Sequence, residues 1–283
     1  MSSIVTLVLR RLMLAMTLIG AALPAFAAEA KQVYTLAVIP AAPPTTMHER
    51  WLPFVERLAG KTGLEFRLKH YENMADFERD IQAGGPDLLF SSPIQLTVGH
   101  KANGYVPLVR GRKPVTIGLF VRRDSPIRTI DELAGKTISF VGSKSICSVA
   151  MQHLLTEYKT DLSFEKEYAG STRNVIINVL LGKSDAGSIF LPEMGGESEE
   201  TRSQLRQIVE TPEIASHPLS AHPRISRAVQ QAVTKATLAI ASTADGAQLL
   251  KTLGLANPVA ADYTRDYRSL EQMDIKGLTH WGQ

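Results

Sequence analysis

Three stretches of this chain place small hydroxyl residues between a short apolar run and a helix-like segment. They are Phe90-Ser91-Ser92-Pro93, Val141-Gly142-Ser143-Lys144-Ser145 and Tyr168-Ala169-Gly170-Ser171-Thr172-Arg173. The first N–H groups of a helix lack partners within it, and the positive end of its dipole lies there, so such a place favours an anion. Hydroxyls at the same place donate further bonds without adding charge. Lys144 and Arg173 add cationic donors, and a guanidinium can grip an oxyanion through two parallel bonds. If the three loops converge, they suit a small tetrahedral or carboxylate anion. Serine and threonine at helix starts are also ordinary N-caps, and Lys144 can equally be read as a solvated surface charge. Each loop taken alone therefore reads more readily as a cap than as a ligand site.

Other chemistries find less support. The seven histidines, His48, His70, His100, His153, His217, His222 and His280, show neither the paired helical spacing of a zinc protease nor a compact cluster. No metal site and no cofactor are expected. Cys147 is the single cysteine, which excludes an internal disulfide or a cysteine cage. It stands near a predicted helix start, which could lower its pKa, but no base partner is identifiable and buried packing is the better reading. Walker A, Gly-x-Gly-x-x-Gly and Gly-x-Ser-x-Gly patterns are absent. With no nucleophile–base pair in view, the chain does not read as an enzyme. Trp51 and Phe54, at helical spacing, read as core, and Asp185 as a cap or turn residue.

The elements that must position these residues alternate. Strands are expected at 33–39, 64–70, 87–90, 106–109 and 116–121, with helices at 48–60, 74–83 and 94–101. A second set follows Asp124-Ser125-Pro126: strands at 137–141, 164–168, 186–190 and 207–210, and helices at 148–158 and 174–181. Two long helices, 225–242 and 244–253, precede an irregular tail. Alternation of this kind means an α/β architecture with mostly parallel sheets. Two sets mean two lobes, with the late helices returning to the first. Ligands of open α/β sheets bind beyond the carboxyl ends of the strands, where all three hydroxyl loops fall.

The chain has 283 residues, 44% hydrophobic and 21% charged, an ordinary globular composition long enough for a sizeable core. Its net charge of +3 includes a leader. Arg10 and Arg11, an apolar run at 12–23 and Pro24-Ala25-Phe26-Ala27 describe a secretory signal peptide cleaved near Ala27. The run is shorter than the roughly 20 apolar residues of a membrane span. Removing 1–27 lowers the basic count from 31 to 29 against 28 acidic residues, a net of +1. The global basic footprint of a nucleic-acid binder is missing. An exported, soluble, monomeric protein of the periplasm is expected.

Several longer motifs carry a family resemblance: Trp51-Leu52-Pro53-Phe54, Pro86-Asp87-Leu88-Leu89-Phe90, Val121-Arg122-Arg123-Asp124-Ser125-Pro126-Ile127, Asp131-Glu132-Leu133-Ala134-Gly135-Lys136 and Gly182-Lys183-Ser184-Asp185-Ala186-Gly187. On these, over about residues 33–273, the chain resembles the phosphonate-binding (PhnD-like) periplasmic substrate-binding proteins of ABC transporters. The resemblance implies a two-lobed type II periplasmic-binding fold, with lobe one at 31–118 plus 215–283, lobe two at 119–214 and a cleft between them. It implies capture of a phosphonate-, phosphate- or phosphite-like anion by hinge closure near 116–120 and 207–211. Delivery would be to an ABC permease of the inner membrane. A sensory subunit signalling to a membrane kinase or chemoreceptor is the alternative. The family's Ser-Thr-Ser turn falls on Ser143-Lys144-Ser145, its Ser-His pair on Ser171-Thr172, and its first-lobe loop on Ser91-Ser92. The site expected is thus Ser91, Ser92, Ser143, Lys144, Ser145, Ser171, Thr172 and Arg173.

Overall fold

A computed structural model describes residues 32–282; the expected signal peptide lies outside the described residues. The chain begins β1 (Val33–Val38), α1 (Pro44–Thr62), β2 (Glu65–Lys69), α2 (Met74–Ala83), β3 (Leu88–Phe90), α3 (Pro93–Asn103) and β4 (Val106–Arg110). It continues with β5 (Ile117–Arg122), β6 (Thr137–Phe140), α4 (Ile146–Tyr158), β7 (Glu165–Tyr168), α5 (Thr172–Leu180), β8 (Ala186–Phe190), α6 (Leu191–Met194), α7 (Glu199–Ser203) and β9 (Leu205–Glu210). It ends with β10 (Pro218–Ala221), α8 (Arg227–Ile240), α9 (Ala244–Thr252), β11 (Val259–Ala260), α10 (Tyr263–Asp266), a 3₁₀ turn at Arg268–Gln272 and α11 (Ile275–Thr279).

These strands form two sheets, ordered β11-β4-β10-β3-β1-β2 and β7-β6-β8-β5-β9. The parallel pairing expected from the βα alternation holds for β1 with β2 and β3, and for β6 with β7 and β8. Each sheet is nonetheless mixed. β10 runs antiparallel to β3 and β4, and β5 runs antiparallel to β8 and β9. The chain passes from the first sheet to the second between residues 110 and 117, and returns between 210 and 218. The two crossings lie side by side. Val115 N–H donates to the Ile214 carbonyl at 2.7 Å, Ile214 N–H to the Val115 carbonyl at 2.8 Å, and Thr211 N–H to the Ile117 carbonyl at 2.9 Å. The expected hinge segments overlap these crossings at their edges.

Both faces of the first sheet are covered, and the twofold period of a strand divides its side chains between them. Leu36 and Val38 of β1 join Trp51, Phe54 and Leu58 of α1 and Val233 and Ile240 of α8. Ala37 points the other way, into a core with Phe77 and Ile81 of α2 and Leu96 of α3. That second core continues through Val115, Ile117, Ile214 and Ala215 into Ile138, Phe140, Val149 and Met151, so apolar packing runs unbroken along the crossings. On the far face of the second sheet Val175, Ile176 and Val179 of α5 pack on Phe120 and Ile189. Gly187 of β8 permits the approach: a Cβ there would lie 2.6 Å from Val175 Cγ1.

Three departures from the expected elements have local causes. α1 starts at Pro44 because proline is well suited to the first helical position, where its missing N–H is no loss. β10 occupies the segment between His217-Pro218 and His222-Pro223, which reads as a loop; Pro218 is tolerated at the first strand residue. The irregular tail holds α10, the 3₁₀ turn and α11, each too short to show a period. Among the described residues no helix is long and apolar enough to cross a membrane.

Candidate functional site

The carboxyl ends of β1, β3, β6, β7 and β8 open toward one cleft of about 590 Å³. Its walls are Ile39 and Ala41 after β1, Met74 opening α2, Ser92 after β3, the loop 141–145 after β6 with Ile146 and Cys147 opening α4, Gly170 after β7, Phe190 ending β8 with Glu193 beyond it, and His217 from the second crossing. Residues from both sheets therefore meet here.

The structure brings Ser92, Ser143, Lys144 and Ser145 together on these walls. Ser91 is fully buried beside them, its hydroxyl donating to the Ser92 carbonyl at 3.2 Å. Ser171, Thr172 and Arg173 follow Gly170 but do not line the cleft. Ser171 caps α5, accepting from Asn174 N–H at 3.2 Å, and Thr172 is buried. Arg173 turns to solvent and pairs with Glu197 at 3.2 Å.

Hydrogen bonding separates the serines further. Ser92 closes a capping box at the start of α3: its N–H and hydroxyl donate to Gln95 Oε1 at 3.0 and 2.9 Å, and its Oγ accepts from Gln95 N–H at 3.4 Å. Its proton is already engaged. Ser145 caps α4 by accepting from Cys147 N–H at 3.2 Å, and its side chain also hydrogen-bonds the Cys147 thiol, a weak partner that an anion in the cleft can displace. The Ser143 N–H and hydroxyl make no hydrogen bond among the described residues. The turn 143–145 thus presents neutral donors at the positive end of the 13-residue helix α4.

The charged groups need the same care. Lys144 Nζ lies 2.6 Å from Glu78 Oε2, and the Glu78 carboxylate is almost completely buried. Lys144 therefore reaches the cleft with its charge already compensated. Glu193, beyond β8 of the same sheet, is a carboxylate that also lines the cleft. Burial, aided by Glu193, pushes the Cys147 thiol up to about 12, so Cys147 is inert packing, as its sequence context suggests. His217 stacks on Phe90 with ring centroids 6.0 Å apart, and burial lowers its pKa to about 4, which keeps the ring neutral at pH 7. Glu78, Glu193 and His217 went unmarked in the sequence: each belongs to a different element, and no spacing links them to the serines. Asp185, just before β8, accepts from the N–H of Thr137, which opens β6, at 2.9 Å, and so ties the starts of the two strands together. Among the described residues no group of three or more histidine, cysteine, aspartate or glutamate side chains is placed to hold a metal ion.

Two mixed sheets joined by paired crossings, with a cleft at the strand ends, define a protein of the type II periplasmic-binding class. The comparisons agree. Residues 36–267 match the family described as ABC transporter, phosphonate, periplasmic substrate-binding protein, and the chain belongs to that family. Among solved structures it is similar to XAC2383 from Xanthomonas citri bound to chloride ion, with a TM-score of 0.68 and 18% identity over 88% of this chain and 96% of that one. It is also similar to PhnD1 from Prochlorococcus marinus in complex with methylphosphonate, with a TM-score of 0.67 and 15% identity over 87% of this chain and 98% of that one. A binding protein component of an ABC phosphonate transporter from Pseudomonas aeruginosa gives a TM-score of 0.56 and 12% identity, covering 82% of each chain. Identities this low speak to the fold alone. Among curated protein sequences no relative is matched.

Proposed function

We propose that this protein is the periplasmic solute-binding component of an ABC transporter, and that it captures a small phosphonate-, phosphate- or phosphite-like anion and delivers it to the permease. The observation that carries the reading is the Ser143–Ser145 turn, whose neutral donors face Ser92 of the other sheet across one cleft. A monoanion or dianion of tetrahedral shape matches donors arranged around a helix start. In this reading residues 31–118 with 215–283 form one lobe and 119–214 the other. The paired crossings act as the hinge, and the ligand touches both lobes only when they close, so binding shifts the open–closed equilibrium. The protein binds and releases its solute without chemical turnover. Ser171, Thr172 and Arg173 support the second wall from behind Gly170 instead of contacting the anion in the closed form.

Calorimetry on the purified mature protein tests this. Methylphosphonate, phosphite or phosphate is expected to bind, and Ser143→Ala combined with Ser145→Ala to weaken binding at least tenfold. No heat and no thermal shift with any of the three would overturn the phosphorus-oxyanion reading. Recovery of the protein on a membrane kinase or chemoreceptor ectodomain, and not on a permease, would overturn the delivery step.

A further inference from the structure

The Glu78–Lys144 pair joins the two sheets at the edge of the cleft. Glu78 belongs to α2, on the first sheet, whereas Lys144 belongs to the loop opening α4, on the second. The nitrogen–oxygen distance is 2.6 Å, and the side chains are 1% and 18% exposed for Glu78 and Lys144. The same Glu78 Oε2 accepts from Gly282 N–H at 2.9 Å, and Arg79 Nη1 donates to the Gly282 carbonyl at 3.0 Å. The segment leading to Gly282 spans both sheets as well: Lys101 of α3 donates to the Glu271 carbonyl at 3.1 Å, and α11 packs against α4. One buried carboxylate oxygen therefore gathers α2, the anion-facing turn and the end of the chain.

We propose that Glu78 is a positioning residue: it draws Lys144, and with it the Ser143–Ser145 turn, onto the first sheet and so latches the cleft shut. The proposal rests on the hinge-closure reading above. A carboxylate this deeply buried is costly without a cationic partner, and truncating one member of a buried pair leaves the other uncompensated. Moving the second sheet away would pull Lys144 off Glu78, so the pair favours the closed arrangement over the open one. It also fixes what Lys144 does: its ammonium is spent on Glu78, and the anion is recognised by the hydroxyl and N–H donors on either side of it. The latch thus aligns the turn without supplying the charge that holds the ligand.

The test labels Leu52→Cys and Leu181→Cys, both exposed and on opposite sheets, and reads the distance between the labels with and without methylphosphonate. Cys147 is buried and stays unlabelled. Glu78→Gln and Lys144→Met are each expected to shift the ligand-free distribution toward longer distances and to weaken methylphosphonate binding about tenfold. The charge-swapped pair, Glu78→Lys with Lys144→Glu, is expected to recover most of the closed population, which a merely structural defect would not do. Ligand-free distributions of Glu78→Gln and Lys144→Met that match the parent would overturn the latch, as would tighter binding by Glu78→Gln, which would make Lys144 the ligand's own counter-charge. A Glu78→Gln protein that binds methylphosphonate with no shortening of its distance would instead overturn the hinge reading on which the latch rests.

Discussion

At the scale of single residues, two serines with the same sequence appearance do different work. Ser92 spends its proton on Gln95, so Ser92→Ala should cost about 1 kcal/mol of stability through loss of the cap, with at most a few-fold change in anion affinity. Ser145 accepts from Cys147 N–H and otherwise meets only the Cys147 thiol, a weak hydrogen-bond partner, so Ser145→Ala should show a comparable stability loss and a clearly larger loss of affinity. Paired urea titrations and calorimetry on the two variants separate these outcomes. His217 makes a pH prediction. Its folded pKa is near 4 because of burial, against about 6.5 for an unperturbed imidazole. The unfolded state binds the proton first, so stability rises with pH across this window. The contribution of the neutral ring is complete above about pH 6.5 and is lost as pH falls toward 4, a change of a few kcal/mol. His217→Gln should flatten the loss of urea midpoint between pH 7 and 4.5.

At the scale of elements, most of what positions the cleft could be read from the chain, because caps and alternation are local. The helix starts at Asn73, Ser92, Ser145 and Ser171 all fall at hydroxyl or amide residues that accept from a first-turn N–H. β10 could not be read: its four residues show no alternation and lie between two His-Pro steps, and its strand character comes from the ladders on either side of it. The site was legible to the same extent. Serines that cap helices announce themselves by position. Glu193 and His217 reach the cleft, and Glu78 reaches Lys144, only through the packing of β8, the second crossing and α2, which no local pattern encodes. Element packing carries its own prediction. At Gly187 an added methyl would meet Val175 and Val179 of α5. Gly187→Ala should force α5 outward and lower stability by about 1–3 kcal/mol, measured by chemical unfolding, while leaving the fold's circular dichroism intact.

At the scale of the whole molecule, electrostatics should be quiet. Residues 28–283 are close to neutral, with 29 basic against 28 acidic residues, and the lysine at the cleft is already paired. Recognition by neutral dipoles in a recess is screened far less than attraction between exposed charges, which is largely lost beyond a Debye length of about 8–10 Å at physiological salt. Affinity for methylphosphonate should therefore change by less than about threefold between 0.05 and 0.5 M sodium chloride. A steep decline in calorimetry would show that an uncompensated cation holds the anion.

The order of strands in the first sheet has a further consequence, in time. β4 and β11 connect to β3, β1 and β2 only through β10, which is made more than a hundred residues after β4. The second sheet is drawn from one uninterrupted stretch, Ile117 to Glu210. A chain emerging amino end first can complete that sheet while the first still lacks its middle strand. Pairings between distant parts of a sequence also form slowly. During refolding, pulsed hydrogen exchange should find amides of β5, β6 and β8 protected before those of β3 and β4. The turn at 143–145 would then be in place early, waiting for the opposite wall to assemble around a strand that is made only later.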